Sequence, residues 1–167
     1  IMKVFQVNKY GKKEKLQSLD VANPTLAQDE VLIQVHAAGV NLLDSKIRDG
    51  EFKLILPYKT PFTLGHDVAG VVSQIGKSVT KFKLGDEVYA RSRDYRIGTF
   101  AELVAVHEDD IAMKPRNLSM EEAASIPLVG LTAWQVLIER ANLKKGQKVF
   151  IQAGSGGVGT FAIQLAK

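Results

Sequence analysis

Residues 148–167 read KVFIQAGSGGVGTFAIQLAK, and inside them Gly154, Gly156 and Gly159 keep the spacing G-x-G-x-x-G. That spacing suits the pyrophosphate of a dinucleotide. Gly154 allows a tight turn, and Gly156 lets the backbone approach a phosphate with no Cβ in the way. Gly159 lets the next helix pack closely on the preceding strand. A helix opening at Val158 would turn its free N–H groups and positive dipole end towards the phosphates. The competing reading is a glycine-rich turn with a purely structural role. The residue that selects between ribose hydroxyl and ribose phosphate is expected about 20 positions further on, beyond Lys167.

Other chemistry has less to work with. The chain has no cysteine, which excludes disulfides and thiolate zinc sites. Of three histidines, His36 and His107 lie in strand patterns and are assigned no chemistry. His66 follows a turn and is read as a hydrogen-bonded structural histidine, with a polar group lining a cleft as the alternative. Tyr58 and Tyr95 fall on predicted loops, where either could border a substrate pocket or donate a proton.

The elements that must position these residues change character along the chain. Residues 3–7, 30–40, 66–76, 86–90 and 98–106 read as short β-strands separated by turns such as ANPT, RDGE and KLGDE. In the second of them Val31, Ile33, Val35 and Ala37 fall on one face. At Ser119 the pattern becomes helical. Ser119 and Glu122 form a capping box, and a second helix is predicted from Leu128 to about Asn142. A strand at 148–154 and a helix from Val158 follow.

A chain of 167 residues can hold one good core, or one domain and part of another. Apolar content of 46 % and charged content of 24 % are those of an ordinary globular protein. The net charge of +4 is scattered, and its densest patches, 9–15 and 144–148, lack a run of aromatics that would stack bases. Nucleic acid is therefore not an expected partner. The apolar stretch Ala123–Ile138 is too short to span a bilayer and contains Pro127 and Gly130. No membrane association and a reducing, cytoplasmic location are expected.

Six stretches occur in one order: AAGVNLLDSKIRDG (37–50), PFTLGHDVAGVV (61–72), LGDEVYA (84–90), GTFAEL (98–103), EEAASIPLVGLTAW (121–134) and AGSGGVG (153–159). That order resembles the medium-chain dehydrogenase/reductase superfamily over essentially the whole chain. It looks most like the zinc-free branch of quinone oxidoreductases and 2-alkenal reductases. The resemblance implies a mainly β, GroES-like barrel catalytic domain at 1–118. Connecting helices and the first βα unit of a truncated Rossmann domain would follow at 119–167. Where zinc-dependent relatives have a cysteine and a His-Glu pair, this chain has Asn41 and His66-Asp67.

The same resemblance implies an oxidoreductase moving hydride from NADPH, preferred over NADH, to a small-molecule quinone or α,β-unsaturated carbonyl, without zinc. Asn41 would lie beside the nicotinamide and the substrate carbonyl. Lys46, where quinone reductases often have tyrosine, would bind the nicotinamide ribose or the substrate oxygen; it would otherwise be an exposed helix lysine. Asp44 is read as capping the short helix running to Gly50, with orienting Lys46 as the alternative. Thr132 would touch the nicotinamide end, and Gly154, Gly156, Gly157, Val158 and Gly159 the pyrophosphate. The full-length protein would be a homodimer, and the 167-residue chain alone is expected to bind NADPH negligibly and to be inactive. The alternatives are a non-catalytic NADPH- or RNA-binding relative, or an enoyl-reductase module.

Overall fold

Alternation in MKVFQV turns Met2 and Val4 inward and leaves Lys3 and Phe5 outward, which makes β1 (Met2–Val7) the centre of a small sheet. It pairs antiparallel with β2 (Gln17–Val21) and β4 (Phe62–Thr63), in the order β2-β1-β4. The larger sheet has five antiparallel strands in the order β7-β3-β5-β6-β8. They are β3 (Glu30–Gly39), β5 (Asp67–Ile75), β6 (Glu87–Arg91), β7 (Leu103–His107) and β8 (Ile111–Met113). The computed structural model describes residues 1–167. They form two compact units, Ile1–Ser125 and Ile126–Lys167.

In the first unit the larger sheet wraps a core of Val31, Ile33, Val68, Val72, Phe82, Val88, Ala90, Val104, Val106 and Ile111. Val35 packs against that core, as the alternation predicts. Ala37 does not. The register of β3 against β5 slips between Val35 and Ala37, and a bulge of this kind turns the rest of the strand over. Ala37 therefore packs with Ala69, Ala123 and Ala124 on the patch covered by α2 (Met120–Ala124). There a side chain at Gly39 would stand 2.4 Å from the Ala124 carbonyl oxygen, so only glycine admits α2 at that distance.

Residues 100–102 tie the two sheets together. Phe5 N–H donates to the Phe100 oxygen at 2.8 Å, and Glu102 N–H to the Lys3 oxygen at 3.0 Å. Val35 N–H donates to the Glu102 oxygen at 2.9 Å. The single strand predicted over 98–106 thus divides into a stitching segment and β7. The resulting architecture is mainly β, with two antiparallel sheets.

The second unit is helical. The helix expected over 128–142 begins as α3 (Pro127–Trp134) and widens over Gln135–Arg140 into a π turn. There Ala141 N–H reaches back five residues to the Val136 oxygen at 2.9 Å. With α4 (Gly157–Ala166), these segments bury Ala133, Leu137 and Ala162. The strand expected at 148–154 is not formed, and those residues run as turns and irregular chain. A strand exists only through the neighbour that completes its hydrogen bonds, and none of the observed strands pairs with this segment. No helix is long and apolar enough to cross a membrane.

Candidate functional site

In the first unit the chemistry gathers where β3 ends and α1 (Leu42–Asp49) begins. Asn41 is the N-cap, with extended backbone at φ −111° and ψ 153°, and Gly50 closes the helix at φ 87°. An acid in the first turn suits the positive end of a helix. Asp44 fills that place and does more. Its Oδ2 accepts the Asn41 main-chain N–H at 2.8 Å, and its Oδ1 lies 2.6 Å from Nδ1 of His66. The Asn41 carboxamide donates through Nδ2 to Oδ2 of Asp67 at 3.0 Å. Asp44, His66 and Asp67 are 2 %, 0 % and 1 % exposed, whereas Asn41 is partly exposed.

Sequence reasoning placed Asn41 at the site but gave Asp67 no role beyond standing beside His66. Strand register carries the missing signal. Asp67 pairs with Gly39 across β3 and β5, which brings it within two residues of Asn41. His66 is the hydrogen-bonded buried histidine that its position suggests. Its Nε2 is buried with no hydrogen-bond partner, as are the hydroxyls of Ser92 and Thr99. No group of three or more His, Cys, Asp or Glu side chains is placed to hold a metal ion.

Lys46 is not drawn into this cluster. Its side chain is 42 % exposed, and its Nζ stands 3.7 Å from Oε2 of Glu51. The two loop tyrosines separate. Tyr58 is buried against Phe62, with ring centroids 5.1 Å apart, and its hydroxyl accepts the Tyr95 N–H at 3.3 Å. Burial holds its phenol above the ordinary value. Tyr95 is 60 % exposed, at φ 65°, and its hydroxyl donates to the Ile55 carbonyl at 3.2 Å.

In the second unit, residues 153–159 make the glycine turn. Gly154 lies inside the tight turn, as the motif implies, but the positive φ, 55°, is at Ala153 and not at the glycine. Gly154 instead leaves space for Ile163, whose Cδ1 would lie 3.0 Å from an added Cβ. Gly156 N–H closes onto the Ala153 oxygen at 3.0 Å, and α4 starts at Gly157. Its first helical bond is Thr160 N–H to Gly156 oxygen at 2.9 Å. The N–H groups of Gly157, Val158 and Gly159 therefore lie ahead of the ladder, the place where a helix N-terminus takes a phosphate.

Residues 155–158 are exposed. Gly159 packs so close that a Cβ would stand 2.3 Å from the Ala153 oxygen. These features fit a pyrophosphate. Thr132 is exposed and its hydroxyl bonds back to the Leu128 carbonyl at 2.7 Å, the local alternative open to any helix threonine.

Comparison with known proteins agrees with this architecture. Residues 27–116 match the model of the alcohol dehydrogenase GroES-like domain. The chain is 42 % identical over 174 residues to the 2-methylene-furan-3-one reductase of Solanum lycopersicum, covering 99 % of this chain and 44 % of that one. It is 38 % identical over 185 residues to the human mitochondrial NAD(P)H oxidoreductase RTN4IP1, covering 100 % and 47 %. The solved quinone oxidoreductase of Coxiella burnetii superposes with a TM-score of 0.90 at 38 % identity, covering 99 % and 53 %. The chain spans about half the length of the curated relatives it matches. With its antiparallel sheets, its Asn41 turn and its glycine loop, this chain belongs to the medium-chain dehydrogenase/reductase superfamily.

Proposed function

We propose that the whole protein is a zinc-independent reductase that uses NADPH to reduce quinones or the C=C bond of α,β-unsaturated carbonyls. The observation that carries the cofactor half is the exposed glycine turn opening α4, which leaves the N–H groups of Gly157, Val158 and Gly159 free for a pyrophosphate. The substrate half rests on relatives named a 2-methylene-furan-3-one reductase and an alkenal/one oxidoreductase, and on one named a quinone-oxidoreductase homolog. The zinc-free reading rests on the family resemblance and on a sequence without cysteine, which offers no thiolate to zinc.

The dinucleotide, when bound, supplies the hydride. The protein supplies position and field. Hydride arriving at the β-carbon of an enone leaves negative charge on the carbonyl oxygen. The Asn41 carboxamide has two N–H groups and uses one on Asp67. The second is free to donate to that oxygen, and a donor fixed in advance stabilises the charge without reorganising. Lys46 Nζ, half exposed, would add positive field. Thr132 would release the Leu128 carbonyl to contact the cofactor. NADPH is preferred to NADH by family resemblance.

The test is NADPH oxidation by the whole protein against a panel of enones and quinones. Asn41→Ala should lower kcat by about 10²–10³-fold, the effect of removing one oxyanion donor. A parental rate in Asn41→Ala removes its role. No oxidation of NADPH with any member of the panel removes the function.

A further inference from the structure

Asn41 is held at both ends by acids that solvent does not reach. Asp44 takes its main-chain N–H at 2.8 Å and Asp67 takes its carboxamide at 3.0 Å. The Asp67 oxygen that faces Asn41 accepts from its Nδ2, and an unprotonated carboxyl oxygen only accepts, so it dictates which end of the carboxamide faces it: the NH₂ end. Flipping the amide would set its carbonyl oxygen against a carboxylate oxygen. The orientation of Asn41 is therefore fixed by chemistry rather than by shape, since the two ends of a carboxamide are nearly the same size. Asp44 is itself fixed from the residue that precedes β5, because its other oxygen lies 2.6 Å from His66 Nδ1 and His66 is fully buried.

We infer that Asp67 and the Asp44–His66 pair are positioning residues for Asn41. Asp67 selects the edge that the carboxamide presents. Asp44 sets the height of the N-cap backbone, and His66 stops Asp44 from rotating away. The inference rests on the reading of Asn41 as the donor to the substrate oxygen, and it deepens that reading. A donor aimed in advance is worth more than one that must turn during the reaction. The arrangement assigns a purpose to three buried polar side chains that hydrophobic packing alone would replace.

The experiment separates positioning from mere support of the fold. In Asp67→Asn the new amide can offer either its NH₂ or its carbonyl, so Asn41 is no longer told which way to face. In the whole protein, kcat for an enone should fall about tenfold, while KM for NADPH stays unchanged. In the Asn41→Ala background the same change should have no further effect, because positioning acts only through Asn41. A tenfold fall in that background as well would overturn the inference.

A readout independent of activity is the ¹⁵N-labelled side-chain amide of Asn41. Its two protons should be well separated in the parent and exchange slowly on the Asp67 side. In Asp67→Asn the separation should collapse while the main-chain spectrum elsewhere stays in place. His66→Asn, which keeps a donor where Nδ1 stood, should retain the parental Asn41 main-chain amide signal, and His66→Leu should lose it. Unchanged Asn41 signals in both Asp67→Asn and His66→Leu would overturn the inference even in a protein that reduces no enone. Altered signals with no enone turnover in the parent would sink the proposed function and leave the positioning intact.

Discussion

Tyr58 shows how a residue type capable of chemistry can be spent on packing. A loop tyrosine can donate a proton, but this one stacks on Phe62 and holds the Tyr95 N–H, and burial raises its pKa. The sign of the consequence follows. The folded state keeps the phenol proton more tightly than the unfolded chain, whose phenol titrates near pH 10. Its contribution to stability is fully present below that pH and is lost as pH rises through the folded value. Denaturant unfolding of Tyr58→Phe should show a shallower loss of stability above about pH 10 than the parent. Equal slopes would mean that Tyr58 titrates as if exposed. At this scale the sequence is legible where spacing fixes a local partner, as where Asp44 caps the helix that begins after Asn41. Asp67 was not legible, because its partner arrives through strand register and not through local spacing.

Among the elements, α2 shows a signal that survives folding unchanged. Ser119 Oγ accepts the Glu122 N–H at 3.1 Å, and Glu122 Oε2 accepts the Ser119 N–H at 2.8 Å, as the S-x-x-E pattern implies. The helix is five residues long, too short to persist without its caps and its packing on β3 and β5. Ser119→Ala should cost about 1 kcal/mol in urea unfolding, and no measurable loss would show that packing alone holds α2. The short strands β2, β4 and β8 carry no such signal. Most of β2 is exposed, so no apolar alternation marks it. The β-formers at 148–154 give the opposite lesson, since propensity describes a residue's fitness for a strand and not the existence of a neighbour. The bulge in β3 was equally hidden, because a register slip changes which face a residue takes without changing the residue.

At the scale of the whole molecule, the two units have separate cores. The first holds the larger sheet's core and a second cluster of Val7, Ile47, Tyr58 and Leu64. A piece spanning residues 1–125 should therefore fold without the second unit and unfold in one cooperative transition followed by circular dichroism. A gradual, non-cooperative loss of signal would show that its cores depend on the rest of the chain. The stitch at residues 100–102 joins parts of this unit that are far apart in sequence. Lys3 N–H donates to Oε2 of Glu102 at 2.7 Å, across 99 positions of sequence. Contacts that distant make folding slow, in the range of milliseconds to seconds for sheet proteins of this kind. On a ribosome the delay is longer. Lys3 leaves first and waits for Glu102, an interval on the order of 5–20 s at ordinary rates of synthesis. Through that interval Lys3–Phe5 lack the partners that residues 100–102 supply, although Gln6 and Val7 on the same edge can already meet β4, and the nascent chain must keep the open part of the edge from pairing elsewhere.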